Sequence, residues 1–128
     1  MKPIDPTPRL IDAAGLAAAL KTFADEREWG QFHSPKNLAM ALTGEVGELV
    51  EHFQWMTEAE SKAVSRDPAK AQAVGEEIAD VLFYLIRLAD VLEIDLEASA
   101  RAKLEVNAAK YPIATARGNS RKYSASKE

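Results

Sequence analysis

Two pairs of acids, Glu45 with Glu48 and Glu77 with Asp80, stand three residues apart inside otherwise apolar stretches. On an α-helix, positions i and i+3 share a face, so each pair projects two carboxylates side by side. The neighbours are apolar: Leu42 and Leu49 lie one turn either side of Glu45, and Val81 and Tyr84 flank Asp80, so that face is expected to look inward. An unpaired buried charge costs several kcal/mol, and four converging carboxylates must therefore take up protons or hold divalent cations. They read as a magnesium site with Glu45, Glu48, Glu77 and Asp80 as ligands. An all-oxygen set suits Mg²⁺, with Mn²⁺ as a possible substitute, because both are hard cations that also bind phosphate oxygens. A di-iron centre would need Glu-x-x-His on two helices, and neither His33 nor His52 stands three residues after a glutamate. Glu51, Glu58 and Glu60 fit solvated positions; Glu76, turned about 100° from Glu77 on a helix, reads as a rim residue.

These acids need helices to carry them, and helical periodicity dominates the chain while strand alternation is absent. Asp12 is expected to cap a first helix to about Arg27, with Leu16, Leu20 and Phe23 on its buried stripe and Trp29-Gly30 ending it. Ser34-Pro35 pairs an N-cap with proline at the first helical position and opens a second helix to about Met56. Its stripe is Leu38, Leu42, Val46, Leu49, Val50 and Phe53. The stretch from Thr57 to Asp67 reads as a short helix or a loop. Asp67-Pro68 opens a third long helix to about Leu92, with Val74, Ile78, Val81, Leu82, Leu85, Leu88 and Leu92 as its stripe. Asp95 caps a fourth helix through Ala109, closed by Tyr111-Pro112. The expected organisation is an all-α, four-helix bundle-like domain over residues 1–112, with an irregular lead over 1–8, and a mobile basic and polar tail over 113–128.

Composition bounds the function. A chain of 128 residues, 47% hydrophobic, fits one domain with a real core. Its net charge of −4 and pI near 5.3 lack the basic footprint of a nucleic-acid binder. There is no cysteine, hence no disulfide framework or thiolate chemistry, which suits the reducing cytoplasm where the protein is expected. The first eight residues carry three prolines and no apolar core, so no signal peptide is expected. No run approaches the roughly 18 apolar residues of a membrane span, so no membrane partner is expected.

Gly44 and Gly47 flank Glu45 inside the second helix, where each interior glycine costs about 1 kcal/mol relative to alanine. Close approach of a neighbouring helix or of a ligand would offset that. Trp29, Phe32, His33, Trp55 and Tyr84 offer a pocket for a base, since aromatic faces stack on nucleobases for about 1 to 3 kcal/mol per contact. Core packing is the alternative, but Trp29 and Trp55 lie at predicted helix ends, which favours a pocket rim. Asn37 suits a hydrogen bond to a base edge or the finish of a helix start.

Several ordered blocks then carry a resemblance. Glu45-Val-Gly-Glu48, followed after 28 residues by Glu77-Ile-Ala-Asp80, resembles the E-x-x-E…E-x-x-D signature of the MazG-type all-α nucleoside triphosphate pyrophosphohydrolases. The runs Glu28 to Leu38, Gly44 to Leu49 with Phe53-Gln-Trp55, and Glu76 to Leu85 are similar to its dCTP pyrophosphatase branch. So are Lys103-x-x-x-Asn107, Lys110-Tyr111-Pro112 and the ending Ser120-Arg-Lys-Tyr123. The blocks span roughly residues 22 to 123. One departure stands out: some dCTP-type members have a histidine in the first helix where an ungapped match puts Leu20.

The resemblance implies Mg²⁺-dependent hydrolysis of a deoxynucleoside triphosphate, dCTP first, to the monophosphate and pyrophosphate. It places Glu45, Glu48, Glu77 and Asp80 on the metal, with Glu48 the first choice among them for accepting the proton of the attacking water. It gives Trp29, His33, Asn37, Trp55 and Tyr84 to substrate binding, and makes Lys103, Asn107, Lys110 and Arg121 donors to phosphate oxygens, for which plain solvation is the alternative. It implies a homo-oligomer, a tetramer first; the alanines 13, 14, 17, 18 and 19 of the first helix suit close helix packing. A triphosphate sensor that does not cleave, a structural bundle with its acids on a wet seam, and an in-family hydrolase of another nucleotide, such as phosphoribosyl-ATP, are the competing readings.

Overall fold

Local chemistry sets the helix boundaries in the computed structural model, which describes residues 8–122. Ser34 accepts a hydrogen bond from the Asn37 amide at 3.2 Å, and with Pro35 at the first position it starts α2. Asp67 takes the Ala69 and Lys70 amides and starts α4 in the same way, while Asp95 takes Ala98 N at 3.0 Å to start α5. The resulting order is α1 (Ala14–Glu26), α2 (Pro35–Glu51), α3 (Glu58–Lys62), α4 (Pro68–Val91), α5 (Leu96–Lys110) and α6 (Ile113–Ala116), with 3₁₀ turns at Trp29–Phe32 and Ala63–Arg66. Among the described residues there is no strand.

Two local expectations are corrected and one open alternative is decided. Asp12 does not cap α1: the helix begins one residue later, behind Ala13, with no side-chain cap. α2 ends at Glu51, five residues before the expected Met56, and the chain continues as turns to Trp55. The ambiguous Thr57–Asp67 stretch resolves into α3 and a 3₁₀ turn because Thr57 and Glu60 form a reciprocal capping box, satisfying two amides that would otherwise be left over.

The chain divides into two compact units. In the unit formed by Ala13–Ile94, α4 packs against both α1 and α2. Ala24 of α1, Leu38 of α2, Val64, and Val74, Ile86 and Ala89 of α4 are buried, Leu38 being the one large side chain that is fully so among the described residues. The predicted stripes are wider than this seam. Phe23, Val46, Val50, Ile78, Leu82, Leu85 and Leu92 remain exposed, because α2 and α4 bury against each other only the part of their apolar surface that faces the partner. Glu28, at φ 55°, turns the chain out of α1 in the left-handed region, and its carbonyl accepts from the Gln31 side-chain amide at 2.9 Å. That turn delivers Trp29.

In the other unit, Glu97 on the first turn of α5 accepts from Leu10 N at 2.9 Å and Ile11 N at 2.6 Å, and Arg101 bonds both Glu97, at 2.8 Å, and the Pro8 carbonyl. The Leu10 amide, with Ile11 and Arg101 behind it, holds the Glu97 carboxyl below its ordinary value. Residues 113–116 of the expected tail form α6. Its last six residues, including Tyr123, and residues 1–7 of the expected lead lie outside the described residues.

Candidate active site

The packing of α2 on α4 brings the acid pairs together. Carboxylate oxygens of Glu45, Glu48 and Glu77 all lie within 4.8 Å of one another. Two of these oxygens, Glu45 Oε2 and Glu77 Oε2, are closed to solvent and accept no hydrogen bond. Partnerless buried acceptors are rare in folded proteins, since each forfeits its hydration without a replacement. Burial raises the Glu45 carboxyl above its ordinary value, and the neighbouring carboxylates of Glu48, Asp80 and Glu77 push the same way. Glu77 is raised by burial and then by Glu48 and Asp80, against a small opposing pull from His52. His52 Nε2 stands 3.8 Å from Glu77 Oε1.

The inward expectation is met by half of the set. Glu45 and Glu77 are half-buried, whereas Glu48 and Asp80 are exposed, so the acids sit at the edge of the packed seam rather than in a dry core. The reason is the seam itself, which closes over the first acid of each pair and leaves the second, a turn further on, at its edge. Asp80 is not in the convergent trio but is close enough to act on the charge of both Glu45 and Glu77. The donor set suits a hard divalent cation: all oxygen, and with two carboxylate oxygens already stripped of water and lacking any protein donor.

Beside the acids opens a cavity of about 320 Å³, within the range of small-molecule sites. Glu45 and Asp80 belong to its lining. Leu20, Phe23 and Ala24 of α1, with Trp29 and His33 from the connection to α2, contribute further wall. Phe83, Tyr84 and Arg87 of α4 complete it. The aromatic rings fix one another: Phe23 and Trp29 meet edge to face with centroids 5.6 Å apart, and Trp29 and His33 do so at 6.3 Å. The Arg27 guanidinium sits 3.5 Å over the Phe23 ring. Arg87 Nε donates to His33 Nδ1 at 3.1 Å, and its Nη1 donates to Asp90 Oδ2 at 3.4 Å.

Of the residues expected to bind substrate, Trp29, His33 and Tyr84 line this cavity. Asn37 does not: its side-chain amide donates to the Phe32 carbonyl at 3.1 Å and finishes the start of α2. Trp55 is outside the lining and 89% exposed. Lys103, Asn107, Lys110 and Arg121 belong to the other unit, three of them exposed and Lys110 half-buried. Gly44 and Gly47 face open space, with nothing within 4 Å of where a Cβ would stand, so no neighbouring helix of the described chain explains them. Sequence reasoning missed Arg87, Phe83 and His52. A signal for Arg87 existed: Glu77, Asp80, Tyr84 and Arg87 follow at intervals of three, four and three, one continuous face of α4.

Paired carboxylates carried by packed helices thus stand beside an aromatic-walled cavity, the arrangement expected of an all-α nucleoside triphosphate pyrophosphohydrolase. The chain belongs to the MazG-like family, whose model matches residues 41–125. It is 46% identical over 118 residues to human dCTP pyrophosphatase 1, covering 92% of this chain and 68% of that protein. The rat dCTP pyrophosphatase 1 is 44% identical over the same shares. Among solved structures, a pyrophosphatase from Archaeoglobus fulgidus superposes with a TM-score of 0.70 at 39% identity, covering 84% of this chain and 99% of that one. Among the described residues no helix is long and apolar enough to cross a membrane.

Proposed function

We propose that the protein is a Mg²⁺-dependent, cytoplasmic dCTP pyrophosphatase that hydrolyses dCTP to dCMP and pyrophosphate. The observation that carries this reading is the junction of two chemistries in one cavity. Its lining holds Glu45, which has a partnerless buried oxygen and converges with Glu48 and Glu77, together with Asp80 and edge-packed aromatic rings. A triphosphate needs the first and a nucleobase the second.

Glu45, Glu48, Glu77 and Asp80 would hold the cation. When bound, Mg²⁺ neutralises charge on the phosphate oxygens and makes a coordinated water more acidic. Glu48, the solvent-facing member of the trio, accepts the proton of the water that attacks the α-phosphorus. Glu45 and Glu77 fix the trio from the α2–α4 seam. Trp29 stacks on the base, with Tyr84 and His33 along the same wall. Lys103, Asn107, Lys110 and Arg121 are proposed as phosphate donors on the resemblance alone.

The active form is read as a homo-oligomer, a tetramer first. Supporting this are the exposed apolar residues Val46 and Val50 on α2 and Ile78, Leu82 and Leu85 on α4, together with Trp55. Light scattering on the eluting protein tests it, and a monomer at assay concentration overturns it. The function itself is tested by pyrophosphate release across the common ribo- and deoxynucleoside triphosphates with and without Mg²⁺. Expected are release that depends on Mg²⁺ and a kcat/KM highest for dCTP. Binding without release would identify a sensor instead.

A further inference from the structure

Arg87 is a charged residue on an apolar helix whose side chain is only 11% exposed, and the chemistry described so far gives it no part. Its Nε–H points at His33 Nδ1, 54 residues away in the chain. An arginine side chain has donors and no acceptor, and it keeps its proton at any working pH. His33 Nδ1 must therefore present its lone pair. A neutral imidazole with Nδ1 as acceptor carries its proton on Nε2. Burial and the facing guanidinium together lower the His33 pKa, which disfavours the doubly protonated ring. The bond thus leaves one state of the ring, neutral with Nε2–H. Among the described residues no group takes that second nitrogen, and the imidazole lines the cavity beside Trp29.

We propose that Arg87 is a positioning residue for base choice: by occupying His33 Nδ1 it makes His33 an obligate hydrogen-bond donor, directed at N3 of a cytosine base. The inference rests on the reading that this cavity takes the base of dCTP, and it names the contact that discriminates. On the pairing edge of a pyrimidine, O2 is an acceptor in cytosine, thymine and uracil alike, so a donor there selects nothing. At position 4, cytosine has an amino group and the others a carbonyl, so a donor there would select against cytosine. Only at position 3 does cytosine accept where thymine and uracil carry N–H. A fixed donor facing that position accepts cytosine and leaves two N–H groups opposed for the other bases. An imidazole free to exchange tautomers would answer either base, and Arg87 removes that freedom.

The experiment measures kcat and KM for dCTP, dTTP, dUTP and 3-deaza-dCTP, the analogue with C–H in place of N3, for the full-length wild-type enzyme and for R87M and R87K. In wild type, 3-deaza-dCTP should lose on the order of tenfold in kcat/KM against dCTP, the scale of leaving one buried donor unmet. R87M should lower the dCTP-to-dTTP ratio of kcat/KM on the order of tenfold, chiefly through KM, because the reacting phosphates are untouched. R87K, which keeps a donor, should restore part of it. With ¹⁵N-labelled histidine, the wild-type spectrum should show His33 with one bare and one protonated nitrogen, and R87M should show exchange between tautomers. The chain has two histidines, so loss of the signal in H33Q assigns it. A folded R87M that keeps the wild-type ratio overturns the inference. Should R87M not fold, equal handling of dCTP and 3-deaza-dCTP by wild type, or a proton on His33 Nδ1, overturns it as well. A wild type with no preference for dCTP over dTTP would instead overturn the substrate reading, and the N3 contact with it.

Discussion

Glu45 on α2 and Glu77 on α4 each keep one carboxylate oxygen, Oε2, shut away from water with no donor facing it. Packing two helices seam to seam thus stores an unmet demand for positive charge, and the demand has a measurable sign. Both carboxyls titrate above their ordinary value of 4.5, Glu45 and Glu77 alike chiefly through burial. A raised acid favours the folded state while protonated, and that contribution is lost as pH rises through its folded pKa. Between pH 7 and pH 5 the metal-free protein should therefore gain melting temperature relative to the E45Q/E77Q double variant, while His33, whose lowered pKa costs stability as pH falls through its ordinary 6.5, acts oppositely and equally in both. Glu97 acts oppositely but lower: its depressed carboxyl stabilises above its ordinary 4.5 and is lost only on further acidification. The same change in melting temperature between pH 7 and pH 5 in the metal-free wild type and in E45Q/E77Q would refute the assignment.

Mg²⁺ should answer the same demand. At about 100 times its dissociation constant, a ligand of the folded state adds roughly 2.7 kcal/mol of stability. The rise in melting temperature should be larger at pH 7 than at pH 5, where protons compete for the same oxygens, and should vanish in E45Q/E77Q.

E48Q and D80N should keep the helical circular dichroism and abolish turnover, because each preserves shape and removes charge needed at the cation. Their metal-free stability should equal or exceed that of wild type, since like charges share the site. Wild-type rates in both at saturating Mg²⁺ would remove these acids from the chemistry.

The bond that breaks can be read directly. Hydrolysis in ¹⁸O-labelled water should place the label in dCMP and leave pyrophosphate unlabelled, as attack on the α-phosphorus requires. Label in pyrophosphate would mean attack on the β-phosphorus, and release of orthophosphate would point to a different hydrolase.

The two tryptophans should separate. W29A removes a cavity wall and should weaken dCTP binding by about 1 to 3 kcal/mol, raising KM more than it lowers kcat. W55A should leave stability within about 0.5 kcal/mol, since the side chain is 89% exposed. A raised KM in W55A would assign Trp55 to a pocket completed by a second copy.

Most of this architecture was legible because its signals are local. Ser34-Pro35, Asp67-Pro68 and Asp95 each announce a helix through one side chain and one following turn, and each does cap in the structure. Asp12 misled because a capping residue type is not a capping geometry; the helix begins behind Ala13 instead. The acid pairs were legible through their spacing, but which member of each pair is shielded depends on how α2 lies on α4, a non-local fact. The same limit hid Trp55, whose sequence position at a helix end suits a pocket rim although the side chain is left in solvent among the described residues. Arg87 was overlooked for the opposite reason. It continues the face of Glu77, Asp80 and Tyr84, yet its partner, His33, is reached only through the fold. Leu20, noted as a departure from dCTP-type relatives, proves to stand in the cavity wall, so the departure falls where a base would be read.

The unequal placement of Trp29 and Trp55 gives the protein a pair of internal optical gauges. These are its two indoles, and one is in solvent while the other is held edge-on between Phe23 and His33. Emission from Trp55 should lie at long wavelength and be readily extinguished by a soluble collisional quencher. Emission from Trp29, 43% exposed against 89% for Trp55, should be less readily quenched, and should dim when a base stacks on its face. Light from the second indole, referenced to the first, therefore counts filled cavities in the unmodified enzyme.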